Sequence, residues 1–184
     1  MLYFKKFKYC PVCGSEYLTG DFDEDSTMFL CKQCGYRYYQ NMDPTVALII
    51  PNGSNPNEVL LTKRNMNPGL GLWDTPGGFL KYGEDPENAC VREIKEELGM
   101  TIEIDRVFDV LINIYGYQGV EYNHTTLYYL AKPIFALPEI ADKQENSSVK
   151  FFDIRRVGEE EKTFAFKADI KALKEYRKFL AKNS

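Results

Sequence analysis

The chain lacks any run of 18 apolar residues, so no transmembrane helix is expected from its 184 residues. Its start, MLYFKKFKYCP, has no long apolar core ahead of the first cysteine, which argues against a secretory signal. Positive charge is also short: 23 lysines and arginines stand against 27 acids, for a formal net charge of -4. That balance gives no electrostatic case for general nucleic-acid affinity, and neither nucleic acid nor membrane is expected as a partner. Internal repeats and low-complexity segments are missing too. What remains is 44% hydrophobic, a composition that suits one globular domain plus a small appendage. We read it as a cytoplasmic protein.

Five cysteines divide four to one. Cys10-Pro-Val-Cys13-Gly14 and Cys31-Lys-Gln-Cys34-Gly35 are separated by 17 residues, a spacing that suits a zinc ion held by two tight turns. Glycine after each second cysteine tolerates the positive φ with which such a turn closes. Two disulfides are the alternative, disfavoured in a reducing compartment. Residues 1–41 are therefore expected to form a zinc ribbon, with structural Zn²⁺ standing in for a core too small to hold itself. An acidic tip, Asp21, Asp23, Glu24 and Asp25, lies between the pairs, and the unit carries no net positive charge. Tyr36, Tyr38 and Tyr39 are expected to pack the ribbon against the following domain, with a base-stacking platform as the alternative. Cys90 falls on the apolar side of a helix and reads as a small buried residue.

The second domain, 42–184, opens with Thr45–Ile50, a buried strand, and Glu58–Lys63, its expected hairpin partner. A helix should begin at Pro86 with Asp85 as N-cap, and end at Gly99. Strands follow over 106–115 and 122–131, joined through Gly116-Tyr-Gln-Gly119, and a last strand over 149–154. Phe166 to Lys182 reads as an amphipathic helix with Ile170, Leu173, Tyr176 (or Arg177) and Leu180 inward. A mixed sheet between helices results, an α+β fold.

Residues 78–100 read GFLKYGEDPENACVREIKEELGM. At about 100° per residue, Glu93, Glu96 and Glu97 share one arc of the helix, and Cys90, Val91, Ile94 and Leu98 share another. Gathering like charges costs about 0.2–0.5 kcal/mol per i,i+4 pair. Such a cluster makes sense where a divalent cation sits. Mg²⁺ or Mn²⁺ prefers carboxylate oxygens, and a substrate with two linked phosphates would complete its shell.

The segment resembles the Nudix box: Gly78, five residues, Glu84, seven residues, then Arg92-Glu93-Ile94-Lys95-Glu96-Glu97-Leu98-Gly99-Met100. Every fixed position matches, and the lead-in LWDTPGGF is similar to that family's approach to its helix. The resemblance implies an α/β/α sandwich preceded by the ribbon, and a pyrophosphohydrolase acting on a nucleoside diphosphate linked to another moiety. It implies metal ligation by Glu93, Glu96, Glu97 and the backbone carbonyl of Gly77. Glu93 matches a ligand or base, Arg92 the arginine that orients the glutamates, and Glu84 a residue that ties loop to helix. Gly78 and Arg64 are expected to meet substrate, with a surface salt bridge as the alternative for Arg64. Glu145 resembles a general base outside the box; an ordinary loop acid is its alternative. His124, the one histidine, reads as a hydrogen-bonding or surface residue rather than a catalytic one. Tyr115, Tyr117, Tyr122, Tyr128 and Tyr129 read mainly as core or face residues, with a base-stacking ring as the alternative. A homodimer is frequent in the resembled family.

A ribbon before the box resembles the NADH pyrophosphatase group, some of whose members remove NAD caps from RNA. That group's Ser-Gln-Pro-Trp stretch is missing here, since Val107 to Tyr122 contains neither proline nor tryptophan. ADP-ribose or a nucleotide sugar is therefore preferred as substrate type. A non-catalytic regulator that senses a nucleotide and binds nucleic acid is the alternative of another class; the complete box argues against it.

Overall fold

The computed structural model describes residues 8–16, 22–23, 27–135 and 138–183. Two compact units divide the chain: Met1–Asp43 with Ile114–Asn123, and Pro44–Asn113 with His124–Ser184.

In the first unit, three short antiparallel strands stand side by side: β1 (Phe22–Asp23), β2 (Met28–Leu30) and β3 (Arg37–Tyr39). Phe29, fully buried, joins Cys10 and Cys31 in a small core flanked by Tyr36 and Tyr38. Tyr38 lies opposite Phe29 in register, and Tyr39 points the other way and stays half-exposed. Tyr36 and Tyr38 thus pack on the ribbon's own core. The side chains of the acidic tip (Asp21, Asp23, Glu24, Asp25) lie outside the described residues.

The second unit is organised by strand alternation. The remaining elements are β4 (Asp43–Ile49), β5 (Pro51–Asn52), β6 (Asn55–Arg64), β7 (Trp73–Asp74), β8 (Gly77–Phe79), α1 (Pro86–Leu98), β9 (Thr101–Tyr117), β10 (Val120–Phe135), β11 (Asn146–Asp153) and α2 (Lys167–Asn183); Asp43 and the β9–β10 tip, 114–123, count with the first unit. One sheet has the order β8-β4-β10-β9; the other has β11-β6-β5, with β7 also on β6. Val46, Leu48, Leu60, Tyr129 and Ala131 pack with Ala89, Cys90, Ile94 and Leu98 of α1. Their neighbours Ala47, Ile49, Leu61, Tyr128 and Leu130 pack with Ala168, Ala172, Leu173 and Tyr176 of α2. The unbroken apolar run 46–50 is therefore a strand covered on both faces. This is an α/β/α sandwich, as expected.

One pairing differs. β6 is not the partner of β4, which runs between β8 and β10. Only Pro51–Asn52 forms the hairpin with β6, with a register shift between those two residues and Leu60 N–H donating to Ile50 O at 2.9 Å. Proline offers no N–H to a ladder, and the irregularity beside it turns the chain out of one sheet and into the other. The long hairpin β9–β10 closes through Gln118 and Gly119, both at positive φ, which suits a two-residue turn.

α1 begins at Pro86 and ends at Gly99, whose φ of 63° and N–H to Lys95 O at 3.1 Å terminate it. Asp85 is extended at the N-cap, but its side chain makes no cap bond. α2 buries Tyr176 rather than Arg177, and Ile170 and Leu180 are only partly covered. No described helix is long and apolar enough to cross a membrane.

Candidate active site

Arg92 organises the box. Its Nε and Nη2 donate to the two oxygens of Glu84 at 2.7 and 2.8 Å, a bidentate pair. Nη1 donates to Glu93 Oε1 at 2.7 Å and to Glu96 Oε2 at 3.0 Å, and Nη2 reaches Phe79 O at 3.1 Å. Glu84 also accepts the Lys81 N–H at 2.9 Å. The Arg92 guanidinium and that N–H hold the Glu84 carboxyl down to about 2, so it is a fixed anion tying the glycine turn to α1.

The three helix glutamates do not share one environment. Glu93 and Glu97 are buried, at 9% and 5% exposure; the Glu96 side chain is half-exposed and also meets Lys81. Among the described residues, no three carboxylates lie within mutual ligating distance. The cause is local: Arg92 draws Glu93 and Glu96 to itself, whereas Glu97 points inward. Burial pushes the Glu97 carboxyl well up, and Asp74, Glu93 and Glu145 push the same way; the Gly77 N–H opposes them. Burial raises Glu93 too, against the pull of Arg92. Glu97 Oε2 is buried and has no hydrogen-bond partner among the described residues. A buried carboxylate oxygen left over in this way fits a cation ligand.

Two glycines make room for these groups. A Cβ on Gly78 would stand 2.5 Å from Glu93 Oε1. On Gly77, at φ +147°, it would meet Val46 O at 2.2 Å, because β8 runs tight against β4.

Glu145 arrives from the segment before β11. The N–H groups of Ala141 and Asp142 donate to Glu97 O at 2.9 and 3.4 Å, and Asn65 N–H donates to Glu145 O at 2.7 Å. The exposed Glu145 carboxyl is thereby close enough to raise both Glu93 and Glu97. The structure thus brings the predicted outside acid to the box.

Arg64 takes the ion-pair alternative, in a partly buried setting rather than at the surface. Its Nη1 donates to Asp74 Oδ2 at 2.7 Å and its Nε to Pro68 O at 2.6 Å. Asp74 also accepts from Thr62 at 2.8 Å. His124 is 2% exposed inside β10, with its ring edge-on to Phe79 at 4.9 Å. Tyr128 and Tyr129 are buried, and Tyr115 stacks on Tyr122 at 5.7 Å.

Sequence reasoning missed a polar cluster beneath the site. Asp169 of α2 is 3% exposed; its Oδ1 accepts from Thr75 Oγ1 and Tyr128 OH, each at 2.8 Å, and Oδ2 is unpartnered among the described residues. Burial and nearby Asp74 push its carboxyl up to about 7. The available signal was an acid on the inward arc of an amphipathic helix, three and seven residues before Ala172 and Tyr176.

In the first unit, the four sulfurs of Cys10, Cys13, Cys31 and Cys34 lie within 4.8 Å of one another, a donor set able to hold a metal ion. The Cys10–Cys34 and Cys13–Cys31 sulfurs are 3.8 and 3.7 Å apart, far beyond a disulfide bond. The two turns repeat each other: Gly14 and Gly35 N–H donate to Cys10 and Cys31 O, and Cys10 and Cys31 N–H to Ser15 and Tyr36 O. Cys90 is fully buried, which pushes its thiol up to about 12.

An acidic helix face beside a glycine-lined strand, within an α/β/α sandwich, marks the candidate site. The chain belongs to the Nudix family, whose NUDIX domain matches residues 42–174. Over 108 residues it is 32% identical to the NAD-capped RNA hydrolase NudC of Haemophilus influenzae (strain PittGG), covering 58% of this chain and 39% of that protein. Over 77 residues it is 43% identical to the ADP-ribose pyrophosphatase of Methanocaldococcus jannaschii, covering 41% of this chain and 43% of that protein. The chain matches only about two fifths of the length of these curated relatives. The crystal structure of a NUDIX hydrolase from Nitrosomonas europaea is similar with a TM-score of 0.69 and 28% identity, covering 92% of this chain and 90% of that one.

Proposed function

We propose that this chain is a Mg²⁺- or Mn²⁺-dependent hydrolase that cleaves the diphosphate linkage of a nucleoside diphosphate derivative, of the ADP-ribose or nucleotide-sugar type. The observation that carries this reading is Glu97, a buried carboxyl with one unpartnered oxygen and three acidic neighbours. An uncompensated buried charge costs several kcal/mol, and a divalent cation offsets that cost. Glu93, Glu96, Glu97 and the Gly77 carbonyl would hold it. When bound, such an ion withdraws charge from phosphoryl oxygens and lowers the pKa of a nearby water.

The chain's own residues supply the rest. Arg92, fixed by Glu84, orients Glu93 and Glu96. Gly78 leaves open the space beside Glu93, where substrate can approach. Glu145 takes the proton from the attacking water, with Glu93 as the other group able to do so. The water oxygen bonds to phosphorus, the bridging P–O bond breaks, and two phosphorylated products leave.

The ADP-ribose pyrophosphatase relative supports this substrate type. The NudC relative supports a second reading, NADH or NAD-capped RNA, against which stands the missing Ser-Gln-Pro-Trp stretch. In the cysteine cluster we assign Zn²⁺: a tetrahedron with Zn–S bonds of ~2.3 Å has sulfur–sulfur edges of ~3.8 Å, close to the separations found. Reduced sulfurs suit a reducing compartment, and we place the protein in the cytoplasm. The test is product analysis with ADP-ribose, NADH and nucleotide sugars, with and without Mg²⁺. Glu97→Gln should lose about 10³-fold in kcat/KM while retaining its fold. Full activity in that variant, or no metal-dependent cleavage of any of these substrates by the parent chain, refutes the proposal.

A further inference from the structure

α2 carries its outward charges in a line. At about 100° per residue, Lys167, Lys171, Lys174 and Lys178 fall within an arc of about 60°. That arc is opposite the buried Ala168, Ala172, Leu173 and Tyr176. Successive lysines are three or four residues apart, or about 4.5–6 Å along the axis. With Lys162 and Arg177 they line a groove of about 660 Å³ beside Phe164 and Ile170. Two acids share the groove, and both are engaged: Glu161 with Lys174, and Glu175 with Lys178 at 2.7 Å. Among the described residues, Lys162, Lys167 and Lys171 have no ion-pair partner.

Six cations against two acids in one groove, on a chain with a formal net charge of -4, is a separation of charge. The i,i+4 pairs Lys167/Lys171 and Lys174/Lys178 repel each other by about 0.2–0.5 kcal/mol each. Net charge hides this arrangement, so the sequence-level argument against nucleic acid does not reach it. A row of cations along an open groove matches a linear polyanion.

We propose that this groove binds a single-stranded chain of linked phosphates, a phosphodiester backbone read without base specificity. None of its residues belongs to the acidic site, so the proposal does not rest on the hydrolase reading. The probe is a fluorescein-labelled single-stranded RNA 12-mer, titrated with the full chain by anisotropy between 50 and 200 mM salt. Parallel arms use single-stranded DNA, inorganic polyphosphate and vesicles containing phosphatidylserine.

Each phosphate neutralised on a single strand adds about 0.7 to the salt slope. The variant Lys162→Gln/Lys167→Gln/Lys171→Gln should therefore bind RNA roughly tenfold more weakly or worse, with a slope shallower by about 2. These side chains are exposed, so its cleavage of a small substrate should be unchanged. Comparable binding of DNA and polyphosphate supports backbone recognition; RNA binding that neither polyphosphate nor DNA reproduces overturns it. No strand binding at 50 mM salt, an unaltered slope in the variant, or binding to vesicles alone also overturns the proposal.

Discussion

Asp169→Asn should invert the order of stability between parent and variant as pH rises. The Asp169 carboxyl is buried in α2, accepts from Thr75 and Tyr128 on one oxygen, and finds no described partner for the other. Burial and Asp74 raise it from 3.8 to about 7. Between those values the folded chain retains a proton that the unfolded chain has released. Folding is therefore favoured below the unfolded value and loses stability as pH rises through about 7. A shift of about three units corresponds to ~4 kcal/mol as an upper limit. Asparagine keeps the accepting oxygen and removes the charge, but puts two N–H donors where the parent's carboxylic acid puts one O–H and no acceptor stands, at a cost of about 1–3 kcal/mol. The variant should be less stable than the parent at pH 3 and more stable at pH 8, by about 1–3 kcal/mol in each case. Urea unfolding followed by Trp73 fluorescence across that range measures the difference, and titrations common to both proteins cancel in it. Parallel stability curves would refute the assignment of a retained proton to Asp169.

Gly78→Ala should reduce kcat/KM by about 10²-fold, since a Cβ 2.5 Å from Glu93 Oε1 displaces that carboxylate; parental activity in a folded variant would show that the close approach is unnecessary. The ribbon should carry about one Zn per chain by elemental analysis, and Cys31→Ser should bring it close to zero. Disulfides among these cysteines in the isolated protein, with no metal, would exclude that assignment.

The central strand, both helices and every box position were legible because each rests on a local rule: period, capping, or fixed spacing. Pro86 and Gly99 bound α1 as their backbone chemistry requires. The β4–β6 pairing was misread because adjacency in sequence is a weak guide once a proline and a register shift redirect the chain between sheets. The three glutamates were placed on one arc correctly, yet their burial differs, because Arg92 and the neighbouring strands sort them and helical angle alone does not. Asp74 and Asp169 stayed hidden, since what makes them notable is meeting each other across 95 positions of sequence, which no motif records. The basic groove escaped composition for a related reason: total charge sums over faces that the fold separates.

The segment carrying Glu145 hangs from the main-chain oxygen of Glu97, not from its side chain. A peptide carbonyl is indifferent to which amino acids donate to it, so substitutions at 141 and 142 can reshape the rim while the anchor persists. Such an arrangement lets ligand preference drift in evolution without dismantling the machinery beneath.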